Sequence, residues 1–489
     1  MNLQFSGNSS QTEYGNIPLI VDLDGTLTPT DTLVESVIRL IKKNPVDLLR
    51  IPFWILKGRA AFKSNIASRI NFSAENLPFR QSFVDYLRRE REKGRRIILA
   101  TAAHHSIAEA VAVKLGLFDS IIATDETRNL KGKCKLAAIR ETIGEKFVYA
   151  GDNKSDLPIW KAAEAAVLVG VSSQVAKVVR QHTPVEQEFL ASNANLIIWL
   201  RALRIHQWLK NLLLFVPLFT AFSFFEINKL LIVFIAFLAF SLAASAAYLI
   251  NDLWDLESDR LHPNKRNRPL ASASISIHAG ITVAVGMLIM AIALSSSVST
   301  NFLLILFLYL IITSAYSWVF KEYVLVDVLI LSILYTLRIL AGSIAIEITT
   351  TSWLLAFSVF IFFSLALIKR CSELVYLNKI KQEATRGRDY RVTDLIILWP
   401  LGVGSALCAV VIFGLFITTE ETQTRYATPQ ILWFAAIGLI YWLARLWIKT
   451  ARGEMHDDPL VFAIKDFGSR VTILMIIFLA IIAHFLHVN

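Results

Sequence analysis

Between Asn251 and Ala271 the sequence reads NDLWDLESDRLHPNKRNRPLA. Asp252, Asp255 and Asp259 stand at i, i+3 and i+7, a spacing that puts three carboxylates on one face of a helix. Three like charges at the end of an apolar membrane helix repel one another unless cations bind between them. Hard oxygen donors with open positions suit Mg²⁺, which bridges to the phosphate oxygens of a substrate. Lys265 and Arg268 follow closely enough to hold the same phosphates. A second acidic set lies near the start of the chain. IPLIVDLDGTLTPTD is an apolar strand running into a turn with Asp22 and Asp24, and FVYAGDNKSD ends another strand with Asp152 and Asp156. Between them IILATAA carries Thr101 and NLKGKCK supplies lysines. Loops that follow short apolar strands gather at the carboxyl edge of a parallel α/β sheet, and the carboxylates brought together there again require a cation.

The elements that must position these residues differ in kind between the two halves. The chain has 489 residues, is 55% hydrophobic and has a mean hydropathy of +0.53, too apolar for an ordinary soluble protein. The apolar residues are unevenly spread. To about Ala194 the sequence reads as a mixed α/β globular domain, and the region from about Asp31 to Pro78 reads as a helical cap. From about Leu212 long apolar runs alternate with short charged loops. The shift falls near Gln187–Asn195 and predicts two domains, 1–194 and 195–489, the second an all-α membrane bundle. About twenty apolar residues cross a bilayer as a helix. About nine stretches qualify: 209–226, 230–250, 275–297, 301–320, 324–346, 352–369, 395–417, 429–448 and 470–487.

The formal net charge of +10 would suit nucleic acid in a soluble protein, but membrane proteins collect Lys and Arg in cytoplasmic loops. One set of loops carries Arg260, Lys265, Arg268, Lys369, Arg370, Arg391 and Lys449, while the opposite set has little beyond Lys229 and Arg425. Placing the basic loops in the cytoplasm predicts an inner-membrane, multi-pass protein with its N-terminal domain and both sites cytoplasmic and its C-terminus outside. The first residues, MNLQFSGNSSQTEYGN, lack the apolar core of a signal peptide, in keeping with that orientation. Cys134, Cys371 and Cys408 have no spacing that predicts a disulfide framework or a zinc site.

The segment from Asn251 resembles the first aspartate motif of the UbiA superfamily, NDxxDxxxDxxH followed by KxxRP, with Asn251, Asp252, Asp255, Asp259, His262, Lys265, Arg268 and Pro269 at the motif positions. The resemblance covers roughly Arg201 to the C-terminus. It implies a helical bundle around a cavity that binds Mg²⁺ and a diphosphate. UbiA prenyltransferases carry a second motif, DxxxD, after the fourth span. Here that region reads YSWVFKEYVLVDVLILSILYTLRILAG, with Lys321, one carboxylate within the span, Asp327, then Tyr335 and Arg338. Asp327 and Arg338 are about three helical turns apart and so share a face. This departure resembles the phosphoribose-transferring branch of the superfamily, the decaprenyl-phosphate phosphoribosyltransferase type. So do RIHQWLKN, with Lys210 and Asn211; KRCSEL, with Lys369, Arg370 and Glu373; and HDDPLVFAIKD, with Asp457, Asp458 and Asp466. A lipid monophosphate acceptor adds phosphate, so basic residues are wanted where a second acidic cluster would sit.

The N-terminal motifs resemble those of the haloacid dehalogenase superfamily in order. The resemblance implies that Asp22 is the nucleophile, Asp24 the general acid and base, Thr101 a phosphate-binding hydroxyl, and Asp22, Asp24, Asp152 and Asp156 the Mg²⁺ site. The motif lysine is Lys135 by its spacing from Gly132, with Lys131 and Lys133 as rivals.

Together these readings predict transfer of 5-phosphoribose from phosphoribosyl diphosphate (PRPP) to a polyprenyl phosphate. Asp252 and Asp255 would hold Mg²⁺ on the departing diphosphate, and Asp327 or Asp259 would face the positive charge that develops on the ribose. The binding set is Lys210, Asn251, Asp259, Lys265, Arg268, Lys321, Tyr335, Arg338, Lys369 and Arg370. The phosphatase-like domain would then remove the 5-phosphate, giving a precursor for ribose or arabinose donors of the cell wall. Two other functions suit parts of the same pattern: prenyl transfer from a polyprenyl diphosphate to an aromatic acceptor, and non-catalytic lipid binding or transport.

Overall fold

Leu19, Ile20 and Val21 are wholly buried, as a strand covered on both faces by helices must be. They form β1 (Leu19–Val21), the centre of a six-stranded sheet. The others are β2 (Ile97–His104), β3 (Ser120–Thr124), β4 (Val148–Gly151), β5 (Ala165–Val169) and β6 (Val185–Phe189). The order is β3-β2-β1-β4-β5-β6, with every pair parallel. Alternate residues serve opposite faces. Leu19 and Val21 pack in one core with Ile97, Leu99 and Val148, and Ile20 packs in the other with Ile98, Tyr149 and Trp160. Because β1 lies between β2 and β4, the ends of all three strands meet at one edge.

The computed structural model describes residues 14–126, 128–190, 195–382, 388–455 and 458–486. The chain forms two compact units. One holds the described residues up to Leu203 together with Leu249–Val283, and the other holds Arg204–Tyr248 and the described residues from Ala284 onward. The aspartate-bearing segment thus packs with the α/β half, a grouping that the 194/195 division by composition does not follow.

In the first unit the cap is helical. The Thr32–Lys43 helix is capped by Asp31, whose side chain accepts from the backbone N–H groups of Leu33 and Val34 at 3.0 Å. Short helical turns follow at Pro45–Leu49 and Ile51–Leu56, then a helix at Arg59–Ala67. Leu40, Trp54, Ile66 and Ile70 form the cap's own core. The first cap helix also meets the aspartate-bearing segment. Glu35 is paired with Arg260, Arg39 with Glu257 at 3.7 Å and Asp31 with His278 at 3.1 Å. Lys42 donates to the Trp254 carbonyl at 3.4 Å.

Among the described residues, eight helices are long and apolar enough to cross a membrane: Ile227–Trp254, Ile277–Val298, Thr300–Trp318, Val326–Ala345, Ser352–Lys379, Val392–Ile417, Pro429–Ala451 and Phe467–Phe485. They match eight of the nine stretches expected from sequence. The remaining stretch, 209–226, is not a single α-helix. The backbone enters it through Arg204 at φ 50°, runs as a 3₁₀ helix over Ile205–Phe215, and continues as α-helix only over Val216–Thr220. Three residues per turn stack Trp208, Asn211 and Leu214 on one side. Trp208 donates to Ser245 at 2.9 Å, and Asn211 donates to Ser241 at 3.0 Å. Leu214 lies against the Val326–Ala345 helix so closely that a Cβ on Gly342 would come within 2.1 Å of its carbonyl oxygen.

Candidate active sites

The first site is assembled at the carboxyl edge of the sheet. Asp22 follows β1, and its backbone N–H donates to Ala150 of β4 at 3.0 Å, which draws Asp22 toward the β4 loop that carries Asp152. Carboxylate oxygens of Asp22, Asp152 and Asp156 lie within 4.8 Å of one another. Lys135, buried on the Lys133–Ile143 helix, reaches Asp22 at 2.9 Å, whereas Lys131 and Lys133 are exposed. Lys135 also donates to the Tyr149 hydroxyl at 3.1 Å, which donates in turn to Asp156 at 3.1 Å. Thr101 is fully buried within β2, three residues before its end, and its hydroxyl accepts from Ala103 N–H at 3.0 Å. Asp24 stands apart from the three gathered carboxylates, and its side chain accepts from Thr32 N–H at 2.8 Å.

Lys135, with the guanidinium of Arg80 acting on Asp152, does not neutralise so much acid. Burial, then the charge of Asp22, pushes Asp152 up to about 8. The same two causes push Asp156 to about 6. Burial, then Asp31, raises Asp24 to about 7. Burial would lower Lys135, but Asp22 and Asp156 outweigh it and raise it. A buried, all-oxygen donor set holding excess negative charge fits Mg²⁺, with Asp22, Asp152 and Asp156 as the residues that would hold it.

The second site begins at the end of the Ile227–Trp254 helix. Asp252 and Asp259 are buried. Arg268 bridges them, donating to Asp252 at 3.1 Å and to Asp259 at 2.5 Å. Asn251 donates to Asp255 at 3.3 Å, while its own side-chain oxygen is buried with no hydrogen-bond partner among the described residues. An orphaned hard oxygen beside Asp252 and Asp255 fits a cation. Burial raises Asp259 above the usual carboxylate value, and Arg268 opposes that shift. Lys265 is exposed in the 3₁₀ turn Lys265–Asn267.

The remaining expected residues lie in the other unit and separate into two groups. Lys210 at 2.8 Å, Lys369 at 3.2 Å and Tyr335 at 3.5 Å all meet Asp458. Lys369, Tyr335 and Asp458 line a small cavity with Leu331 and Leu460. Tyr335 connects this cluster to Arg338, since Lys210 and Arg338 each lie 5.6 Å from the centre of its ring. Arg338 donates to Asn211 at 2.9 Å and to Tyr309 at 3.1 Å. The second group is built around Asp327. Arg370 donates to Asp327 at 2.6 Å and to Glu373 at 3.0 Å, and Tyr390 donates to Asp327 at 2.5 Å. Asp327 is wholly buried there, so it and Arg338 share a helix but have separate partners. Lys321 is half-buried in the 3₁₀ turn Phe320–Glu322 and is not among the partners of Asp458. Asp458, which the HDDP segment brings to the resemblance without an expected place in the site, is the common partner of this cluster, and Asp457 lies outside the described residues.

Residues 212–465 match the UbiA prenyltransferase family, and residues 19–161 match the haloacid dehalogenase-like hydrolases. The uncharacterized protein y4nM of Sinorhizobium fredii is 40% identical over 458 residues, covering 92% of this chain and 88% of its own. Nodulation protein NoeC of Azorhizobium caulinodans is 34% identical over 285 residues, 58% of this chain and 92% of that protein. Decaprenyl-phosphate phosphoribosyltransferase of Mycolicibacterium smegmatis is 30% identical over 290 residues, 58% of this chain and 89% of that protein.

Proposed function

We propose, for a chain that belongs to the UbiA prenyltransferase family and carries a haloacid dehalogenase-like domain ahead of its membrane helices, a PRPP-dependent transfer: 5-phosphoribose passes to a polyprenyl phosphate, releasing diphosphate. The observation that carries this reading is the cluster of Lys210, Lys369 and Tyr335 on Asp458, a cationic site in a sequence that lacks the second DxxxD motif. The identity with the mycolicibacterial phosphoribosyltransferase supports it.

A phosphate oxygen of the lipid attacks C1 of the ribose, and the bond from C1 to the diphosphate oxygen breaks with its electron pair leaving on diphosphate. The acceptor is already an anion, so no strong general base is needed. Lys210 and Lys369 orient phosphate groups, and Arg268 exchanges part of its hold on Asp252 and Asp259 for a substrate phosphate. Bound by Asn251, Asp252 and Asp255, Mg²⁺ would offset the charge of the leaving diphosphate, and by Asp22, Asp152 and Asp156 that of a phosphoryl group.

The N-terminal half then removes the 5-phosphate. Asp22 attacks phosphorus, the bond to the ribose oxygen breaks, and Asp24 donates the proton that oxygen takes up. Water cleaves the aspartyl-phosphate and gives its proton to Asp24. A carboxyl raised to about 7 by burial and by Asp31 suits both duties near neutral pH. In this reading the membrane is the inner membrane and both sites face the cytoplasm.

Incubation of the full chain in membranes with radiolabelled PRPP, Mg²⁺ and polyprenyl phosphate, followed by mass spectrometry of the lipids, tests both halves. Wild type should yield polyprenyl-phosphoryl ribose, and Asp22→Asn should stop at the 5-phosphorylated lipid. No label in lipid, with prenylation of an aromatic acceptor instead, would overturn the proposal.

A further inference from the structure

The cap carries an apolar face that its own core does not use. Between Pro45 and Leu56, Trp54 turns inward onto Leu40 and Ile66, while Leu49 is 72%, Phe53 67% and Leu56 84% exposed, with Val46, Leu48 and Ile55 beside them. Scattered exposed apolar residues are ordinary, but six within eleven positions form a patch of the kind that marks an interaction site. Its rim is basic: Lys42, Lys43, Arg50, Lys57 and Arg59 are all exposed. The single acidic residue between Lys42 and Arg59, Asp47, is buried and paired with Arg50 at 2.8 Å.

We infer that the 45–56 segment is a lipid-surface anchor, which sinks its Leu49–Phe53–Leu56 face into the head-group layer of the bilayer that the chain's own helices cross, with its basic rim on anionic lipid phosphates. Three observations favour lipid over a protein partner. Aliphatic residues and a phenylalanine ringed by lysine and arginine match the chemistry of interfacial membrane segments. The chain is already tethered to a bilayer by its spanning helices, so the local concentration of lipid is high. Lys42, three residues before Pro45, donates to the carbonyl of Trp254, the last residue of a spanning helix in the same compact unit, which puts the start of the segment at the level of a span end.

The anchor is also coupled to chemistry. The helix that leads into it begins at Thr32, whose N–H donates to Asp24. Seating the segment in the bilayer would therefore hold the mouth of the phosphatase-like site against the surface from which a lipid-linked phosphate emerges.

The test uses the full chain in liposomes of phosphatidylcholine and phosphatidylglycerol. A polarity-sensitive fluorophore is placed through Leu49→Cys, Leu56→Cys or, as a control, Val113→Cys, in a Cys134→Ser, Cys408→Ser background. Val113 is 78% exposed on the His105–Leu115 helix of the same domain. Hydrolysis of p-nitrophenyl phosphate or, if the domain does not turn it over, an unchanged thermal midpoint reports that each variant is folded. Labels at positions 49 and 56 should shift to the blue and be quenched several-fold more strongly by nitroxide lipids than the label at 113, and the effect should shrink when phosphatidylglycerol is omitted. Quenching at 49 and 56 no greater than at 113 would overturn the inference. So would a disulfide-linked dimer through position 49 without quenching, which would assign the face to a second copy.

Discussion

Glu35 and Arg260, 225 residues apart in the chain, form a two-pronged ion pair at 2.7 and 2.9 Å, with side chains 2% and 6% exposed. Glu35 also accepts from Thr30 at 2.6 Å, and Arg260 donates to the Ala271 carbonyl at 3.1 Å. Each partner is held by further bonds, so the pair is rigid as well as buried. Breaking such a pair leaves an uncompensated charge inside the protein. Arg260→Ala should destabilise the unit by about 3–5 kcal/mol, whereas Glu35→Leu with Arg260→Met should recover most of that loss. The thermal midpoints of the two variants in detergent decide this, and equal losses would contradict it.

Gly25 has φ +79°, and a Cβ there would stand 2.1 Å from the Asp152 carboxylate. Gly25→Ala should store about 1–3 kcal/mol of backbone strain and displace Asp152. The expected outcome is loss of Mg²⁺-dependent hydrolysis of p-nitrophenyl phosphate with the far-ultraviolet dichroism of the sheet retained.

Asp24, Asp152 and Asp156 have folded-state values of about 7, 8 and 6, all above the ordinary 3.8. Groups raised in the folded state hold protons there that the unfolded chain has already released. Their stability contribution is present below about pH 4 and is lost as pH rises through 6 to 8. Without Mg²⁺ the α/β domain should therefore weaken across that window, and Mg²⁺ should raise its thermal midpoint more at about pH 8.5 than at about pH 5.5. An equal shift at both values would contradict the assignment of the cation to these carboxylates.

Burial opposes ionisation of Asp458, yet Lys210 and Lys369 prevail and hold it well below the usual carboxylate range. Asp458→Asn removes the common anchor of the two lysines. Loss of charge-assisted hydrogen bonds of this kind is worth about 1.5–3 kcal/mol, so the proposed transfer of phosphoribose from PRPP to the lipid should fall by about ten- to a hundredfold. Phosphatase turnover should not change, which separates this effect from unfolding.

Gly342→Ala would drive a Cβ into the Leu214 carbonyl, which is backbone and has little room to yield. The 3₁₀ segment should shift, and the Asn211–Arg338 bond with it. Activity in transfer should drop while the lipid-facing helices stay intact, as a proteolysis pattern of the solubilised protein can report.

The parts of the fold set by local pattern could be read directly. The apolar strands that lead to Asp22 and Asp152 and the one that carries Thr101 are neighbours in a parallel sheet, and eight apolar runs are long helices. Lys135 reached Asp22 because the spacing after Gly132 turns it inward from the first turn of its helix. Tertiary choices were not legible. Arg268 looked like a phosphate ligand and is also the bridge between Asp252 and Asp259. Asp327 looked like a cavity carboxylate and is enclosed by Arg370 and Tyr390. Which cation meets which anion depends on packing between elements, over separations from 9 residues for Arg268 and Asp259 to 248 for Lys210 and Asp458, and the pattern of a single sequence does not select the partners. The backbone type of the stretch 209–226 was not legible for another reason, since apolar content does not distinguish 3₁₀ from α backbone.

The packing of Leu249–Val283 with the α/β half changes what a cut at residue 194 would yield. Scissors applied there divide the two family matches cleanly on paper, yet the severed C-terminal piece would keep its aspartate-bearing segment while losing the scaffold that braces it, including the carboxylate that neutralises Arg260. The two enzymes written in tandem are not two parcels on a string, and swapping either for a homologue would require transplanting the shared seam as well.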